Sequence, residues 1–534
     1  MTNSYSPSIR FFRNTLVLAT AFATLVVMTL PGLASATTPS TTAVTPIPVG
    51  AGPSGVAVSP DGSSVWVANY GGGTGNTVSR INTATNLVTD TITVGTGPNG
   101  VAVSPDGSSV WVTNWPDRNG TVSRINTATN SVTDTIYVGS SIYGVAVSPD
   151  GSSVWVTFNI DIQGSGESVS RISTTTNLVT DTITVGTGPY GVAVSPDGSS
   201  VWVTNHGGGT GNTVSRINTA TNLVTDTITV GTGPYGVAVS PDGSSVWVTN
   251  WPDRNGTVSR INTANNTVVA TTTVGVGPYG VAVSPDGSSV WVTNYGDGIA
   301  DGTVSQINTA NNTVVATTTV GVGPVGVAVS PDGKSVWVTN YGDGIADGTV
   351  SQINTATSTV VGSPITVGAG PQGVAVSPDG SSVWVTNLGA GTVSRIIFPP
   401  QAPSNVSATP GDAKATISWS APTNTGGSPI TGYSATASPG GKSCTTTTAT
   451  SCTISGLTNG TTYSVSVTAS NAVGTSDPSV VAVTPAVPVV TAAIAKLAAT
   501  GSDLFSPSWL IVALFGLGGG ALLVSRRRKT QPQS

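Results

Sequence analysis

The chain has 534 residues, enough for several domains; 8% are charged, 67 are Gly, and Glu167 is the one glutamate. Val and Thr suit strands while Gly, Asn and Asp suit turns, so the composition excludes a helical protein and points to an all-β one. Abundant β-branched and aromatic residues argue against a disordered chain. The net charge is −5, and it becomes −10 without the terminal residues Arg10, Arg13, Asp503, Arg526, Arg527, Arg528 and Lys529. No basic stripe then remains to neutralise phosphates, which excludes nucleic acid as a partner.

In chain order, Arg10 and Arg13 precede an apolar run from Leu16 to Leu30, and Ala34-Ser35-Ala36 follows. That order reads as a signal peptide over residues 1–36, cleaved between Ala36 and Thr37.

Internal repetition dominates residues 45–397. Ser-Pro-Asp-Gly recurs eight times, with its acid at Asp61, Asp106, Asp150, Asp197, Asp242, Asp286, Asp332 and Asp379. One unit runs from Gly236 to Gly275 and holds four strand signals. Val237 to Val239 is followed by a Pro-Asp-Gly turn. Val246 to Thr249, Thr257 to Ile261 and Val268 to Val274 come next. Four short strands in about 45 residues are the signature of a propeller blade. Trp247-Val248-Thr249-Asn250 and its seven counterparts resemble the motif of the YVTN family of surface β-propellers, with Trp in place of Tyr. The resemblance implies a ring of blades and a cell-surface location.

The first three strands occur eight times and the fourth only after units one to seven, because Pro399-Pro400 follows Ile396 in unit eight. Thr45–Val49 matches the missing strand. The expected architecture is an eight-bladed β-propeller whose N-terminal strand closes the last blade, leaving no open edge between blades. Pro46 and Pro48 suit an outermost strand. One Trp per unit alternates with Val along the second strand and is assigned to packing between blades.

Variation is concentrated in two places. The loops between second and third strands open with Tyr70, Trp115, Phe158, His206, Trp251, Tyr295, Tyr341 and Leu388. The Gly-Pro-x-Gly links carry Ser54, Asn99, Tyr190, Tyr235, Tyr279, Val325 and Gln372 at x, with Tyr143 in a degenerate link. Strand alternation puts both sets at one rim, the expected ligand face for a protein or glycan. Two arrangements are open there: aromatic rings displayed to a ligand, or rings packed against adjacent loops. Gly-Asp-Gly-Ile-Ala-Asp-Gly occurs twice, with Asp297 and Asp301, then Asp343 and Asp347. Such carboxylates can hold Ca²⁺, but Asp-Gly is also ordinary turn chemistry and the spacing is no standard calcium loop. No cofactor and no resident metal are expected.

Residues 401–485 change character. Ala415-Ile417-Trp419 alternates, and Leu457-Thr458-Asn459-Gly460 leads into Tyr463, Val465 and Val467. The segment resembles a fibronectin type III domain, which implies that Trp419 is its core tryptophan and Tyr463 its tyrosine-corner residue. Cys444 and Cys452 are the only cysteines, and in an exported chain they are expected to form a disulfide. Residues 486–496 form an Ala/Val/Pro linker. Leu497-Ala498-Ala499-Thr500-Gly501, an apolar stretch from Leu504 to Val524 and the basic cluster Arg526 to Lys529 then follow. The order over residues 497–529 resembles a Gram-positive sortase sorting signal of LAxTG type. That resemblance implies cleavage between Thr500 and Gly501 by a sortase, after the C-terminal transmembrane helix (residues 504–524) has held the chain in the membrane. A plain transmembrane anchor shares the order, and either places residues 37–500 outside the membrane.

Catalysis by general acid and base needs positioned titratable groups. The repeats hold one His and one Glu, a unit apart, and no Cys. Streptogramin lyases have a similar propeller and use His with Glu, but His206 and Glu167 do not match that pattern. The expectation is a non-enzymatic surface binding or adhesion scaffold. A structural wall-layer component without a ligand stands second, and a lyase or hydrolase third.

Overall fold

The computed structural model describes residues 42–488 except 116–118, 161–166, 210 and 252–255. The signal-cleavage pair Ala36 and Thr37, the sortase pair Thr500 and Gly501, and the apolar span 504–524 lie outside the described residues. Within them every regular element is a strand apart from two short 3₁₀ turns, and no helix is long and apolar enough to cross a membrane.

Each repeat folds as antiparallel strands in sequence order. Repeat 4 is representative: Pro189–Val194, Ser200–Asn205, Thr213–Asn218 and Leu223–Thr229 form one sheet. The first strands of successive repeats touch in order round the molecule, and Pro371–Val376 of repeat 8 returns to Pro53–Val58 of repeat 1. Ala43–Pro48 pairs with Thr392–Ile397 as the fourth strand of the last sheet. This strand begins two residues earlier than Thr45 and ends one before Val49.

Two sheets depart from the pattern, each for a local reason. Residues Ser131–Val147 form one unbroken strand that joins repeats 2 and 3 into a seven-stranded sheet. The link there is Gly-Ser-Ser-Ile instead of Gly-x-Gly-Pro, so the proline at which a new strand begins in the other repeats is missing. Ser141 takes the left-handed position (φ 54°) that glycine holds in the other links. In repeat 7, Gly362-Ser363-Pro364 splits the fourth strand into Thr359–Val360 and Ile365–Ala369.

The core lies between sheets. Seven of the repeat tryptophans are fully buried and Trp337 nearly so. Trp202 packs with Val214 of its own sheet and with Val246, Val248 and Ile261 of the next, and the grouping recurs around the ring. Each position of the Trp-Val-Thr-Asn motif has a structural task. Thr249 Oγ1 accepts the Gly236 N–H at 2.8 Å and donates to the Tyr279 carbonyl of the next repeat at 3.0 Å. The same relay ends with Thr386 donating to Ser54 O, from the last repeat back to the first. Asn250 Nδ2 donates to Thr257 and Ser259 on the third strand, at 3.0 Å each. Gly236 is required by close approach, since a Cβ there would stand 2.8 Å from Tyr279 O.

The arginine of Ser-Arg-Ile-Asn is a second clamp. Arg216 lies over the Trp202 ring at 5.2 Å, and its Nη1 donates to Thr263 O and Asn266 Oδ1 of the following repeat. Asn266 sits at φ 56°, a conformation Asn tolerates well, and its Nδ2 donates to Asp226. Arg395 of repeat 8 reaches Thr83 O and Asn86 Oδ1 of repeat 1, so the clamp also crosses the seam. Its Nη2 donates to Gly427 O of the second domain, and Phe398 stacks on Trp337 at 4.9 Å.

Residues 404–483 form a sandwich of a three-stranded and a four-stranded sheet. Trp419 meets Tyr433 in its core with ring centroids 5.5 Å apart. The Thr458 N–H donates to Tyr463 Oη at 3.0 Å, the expected corner contact. Cys444 on one sheet is disulfide-bonded to Cys452 on the other.

Candidate functional site: an aromatic collar at one rim

The Gly-Pro-x-Gly links begin the innermost strands, so their x residues ring the axis; the loop aromatics stand behind them. Ring contacts between the two sets place both at one rim: Trp115 with Tyr143 (6.1 Å), Tyr190 with His206 (5.9 Å), Trp251 with Tyr279 (5.4 Å). Tyr143, Tyr190, Tyr235 and Tyr279 follow one another with centroids 4.8, 4.2 and 4.4 Å apart. Tyr70 extends the arc beyond Trp115 and Tyr295 extends it beyond Trp251.

Of the two arrangements open in the sequence, packing describes the inner arc better. The rings are half-buried and cover one another. The hydroxyls form a chain, Tyr190 with Tyr235 at 2.5 Å and Tyr235 donating to Tyr279 at 2.6 Å. Burial, then the neighbouring phenols, pushes the Tyr190 and Tyr235 hydroxyls far above their ordinary value, and burial raises Tyr279 too. All three stay protonated at any physiological pH. The other half of the collar has no aromatic ring: Val325 is buried, and Ser54 Oγ donates to Asn99 Oδ1 at 2.7 Å and contacts Gln372 Oε1 at 3.3 Å.

One expected rim residue is placed differently. Phe158 is 1% exposed and packs with Ile142 in the core, so it offers no surface to a ligand. Ile142 replaces the link proline, and the aromatic side chain fills the space beside it. Tyr341 lies against its own loop at Gly344 and the next link at Gly370, as Tyr295 does at Gly298 and Gly323.

The acidic residues are occupied locally. Asp297 Oδ1 accepts the Ile299 and Ala300 N–H groups at 2.9 Å, and Asp343 does the same for Ile345 and Ala346. Among the described residues no three His, Cys, Asp or Glu side chains come together as a metal site. In each Ser-Pro-Asp-Gly turn the carboxylate is bonded to the preceding Ser hydroxyl and the following backbone N–H, as at Asp242 with Ser240 (2.6 Å) and Ser244 (3.0 Å). Those bonds lower Asp106, Asp197 and Asp242 to about 2. His206 Nδ1 accepts the Gly209 N–H at 3.1 Å, and burial lowers its pKa, leaving it neutral at pH 7.

Comparison with known proteins agrees with the architecture. The fibronectin type III domain model matches residues 401–484, and the Virginiamycin B lyase family model matches residues 180–402, less than half the chain. The latter match contains His206 and begins after Glu167. No curated protein matches. Among solved structures, hydrazine synthase of Kuenenia stuttgartiensis is 23% identical, with a TM-score of 0.46 over 57% of this chain and 95% of its own. A functionally unknown protein of Desulfotomaculum acetoxidans is 19% identical, with a TM-score of 0.42 over 56% and 96%. The dihydro-heme d1 dehydrogenase NirN is 15% identical, with a TM-score of 0.47 over 60% and 67%. On the two family matches, the chain combines propeller-type repeats with a fibronectin type III domain.

Proposed function

We propose that this protein is a non-enzymatic scaffold for binding or adhesion at the surface of a Gram-positive bacterium. In this reading it is an eight-bladed propeller, exported by its signal peptide and joined to the wall through Thr500 after sortase cleavage. The fibronectin domain holds the propeller away from the wall. The carrying observation is the division of labour within the repeat. Trp, Thr, Asn and Arg of the copied segments make contacts within or between repeats, whereas the variation in loops and links is gathered on one rim around a preformed aromatic collar. A rigid scaffold with variable loops at one end is a common basis for recognition. The ligand is a protein or glycan held at that rim.

The test is binding of the chain to arrays of matrix proteins and glycans, compared with Trp115→Ala/Trp251→Ala. These are half-buried loop positions whose loss leaves the inner tyrosine arc intact. A ligand whose capture falls at least tenfold in the variant supports the reading; undiminished capture refutes the rim. The match to the Virginiamycin B lyase family favours a second reading, a lyase. Turnover of virginiamycin B that is lost in His206→Ala would establish it in place of the first.

A further inference from the structure

In repeats 1 to 7 the third strand runs on through a turn into the fourth. In repeat 8 the fourth strand, Ala43–Pro48, comes from the far end of the chain and is held to Thr392–Ile397 by pairing alone. The arginine clamp is also altered at this seam. In repeats 1 to 5 the arginine Nε donates to a serine of its own sheet, as Arg80 does to Ser64 and Arg216 to Ser200. In repeat 8 Trp384 Nε1 donates to that serine, Ser382, at 3.1 Å, and Arg395 Nε has no acceptor although the residue is only 8% exposed. Arg395 turns instead to the second domain: Nη2 donates to Gly427 O at 3.0 Å, while Nη1 keeps Thr83 O and Asn86 Oδ1 of repeat 1 at 2.8 and 2.6 Å.

The segment that joins the domains is pinned on both sides. The Phe398 N–H donates to Gly426 O at 2.7 Å and the Gln401 N–H to Asn424 O at 3.0 Å. Asn471 Nδ2 donates to Phe398 O and Thr425 O at 2.8 Å each. On the ring side Phe398 stacks on Trp337, and Gln401 Nε2 reaches Asp332 at 3.3 Å. Gly426 and Gly427 (φ 73° and 83°) are required by the close approach. A Cβ at the first would stand 2.0 Å from Phe398 O, and one at the second 2.6 Å from Ile397 Cγ2 and 2.8 Å from Ser381 O. Ser381 is buried there, whereas its counterpart Ser244 is exposed. Thr83 and Ala84 of repeat 1 line one cavity with Arg395, Thr425 and Ser428.

We infer that the fibronectin domain is a clasp on the seam: its 424–427 loop holds Arg395 against repeat 1 and fixes the two domains as one rigid body. A flexible tether would leave the N–H groups of the joining segment to water, but those of Phe398 and Gln401 are bonded to the loop. The bond to Gly427 O stands in for the serine that Trp384 has taken. Undocking would leave Nε and Nη2 of a buried guanidinium both unpaired, a cost that falls on the seam and not on the other junctions. Ile397 pairs with Ser382 beside the Ser-Pro-Asp-Gly turn, at the end of the ring opposite the second-to-third loops. The docked domain therefore stands opposite the aromatic collar and keeps the collar facing away from it. The inference holds whether or not the rim takes a ligand.

The experiment uses the full chain in mild detergent. Its only cysteines are already paired, so Leu87→Cys and Thr447→Cys, both at exposed positions, take spin labels on repeat 1 and on the second domain. The distance between the labels should be single and narrowly distributed, and adding Gly427→Val should broaden it. Hydrogen exchange of Ala43–Pro48 and Thr392–Ile397 should then rise about tenfold or more, with Leu223–Thr229 of repeat 4 and Lys414–Ser420 of the second domain unchanged. Should the glycine variant loosen Lys414–Ser420, Gln401→Pro makes the same test from outside the sheets of both domains, by removing the N–H that donates to Asn424 O. A broad distance distribution in the parent chain, or seam strands that exchange no faster once the distance has broadened, overturns the inference.

Discussion

Replacing Arg216 by Ala removes several bonds at once. Its Nε and Nη2 donate to Ser200 Oγ at 3.1 and 3.0 Å, and Nη1 donates to Thr263 O at 3.0 Å and Asn266 Oδ1 at 2.6 Å. The guanidinium also covers the face of Trp202. Hydrogen bonds from a charged donor contribute about 1.5–3 kcal/mol each, and a partly desolvated cation–π contact about 1–2 kcal/mol. Water can reach the half-buried site and satisfy part of what is lost. Arg216→Ala should therefore cost about 3–4 kcal/mol. Repeats 6 and 7 supply an internal control. Their Gln306 and Gln352 keep the serine contact, at 3.2 and 3.0 Å, without the cation. Arg216→Gln should accordingly cost about half as much. Urea unfolding followed by tryptophan fluorescence measures both, and a cycle with Asn266→Ala isolates the contact between repeats. A loss below about 1 kcal/mol for Ala, or no coupling to Asn266, would refute the clamp.

Three further outcomes follow from the repeat geometry. Ser141→Gly should raise stability by about 1 kcal/mol in the same assay, because it relieves a left-handed serine, whereas Gly233→Ser should lower it, since a Cβ there meets Trp251 O at 2.7 Å. Thr249→Val keeps the shape but breaks the relay; with the Gly236 N–H and Tyr279 O left unbonded it should cost about 2–3 kcal/mol by urea unfolding. The turn aspartates govern acid stability. Their folded pKa values lie below the unfolded value near 3.9, so the stabilisation is full above about pH 4 and is lost as pH falls toward 2. The melting temperature should drop across that window, and Asp242→Asn should destabilise at pH 7 with the difference shrinking near pH 2.

Much of the molecule is legible in the linear chain because repetition amplifies local signals. Alternating Trp and Val, the Pro-Asp-Gly turn and the glycine-proline link recur with a period of 44 to 47 residues, so strand positions and the all-β class follow from short-range chemistry. The fibronectin domain occurs once and is readable instead from the short motifs around Trp419 and Tyr463, and its cysteine pair from being the only two cysteines. Contacts between repeats are a different matter, since they join residues some 50 positions apart or, at the seam, more than 300. The Arg–Asn clamp and the Thr relay carry no local signal that separates them from ordinary surface polarity. The collar was visible as a list of aromatic positions, but whether rings point outward or cover one another depends on the spacing of neighbouring strands, set by glycines pressed against carbonyls. Phe158 shows this most plainly: its loop position suggested display, and the loss of one proline at Ile142 drew it into the core. The chain alone thus determined the strands, turns and domain order, where the physics is local. Tertiary structure decided which polar groups bridge repeats and which aromatics are covered, because those depend on distances that only ring packing sets.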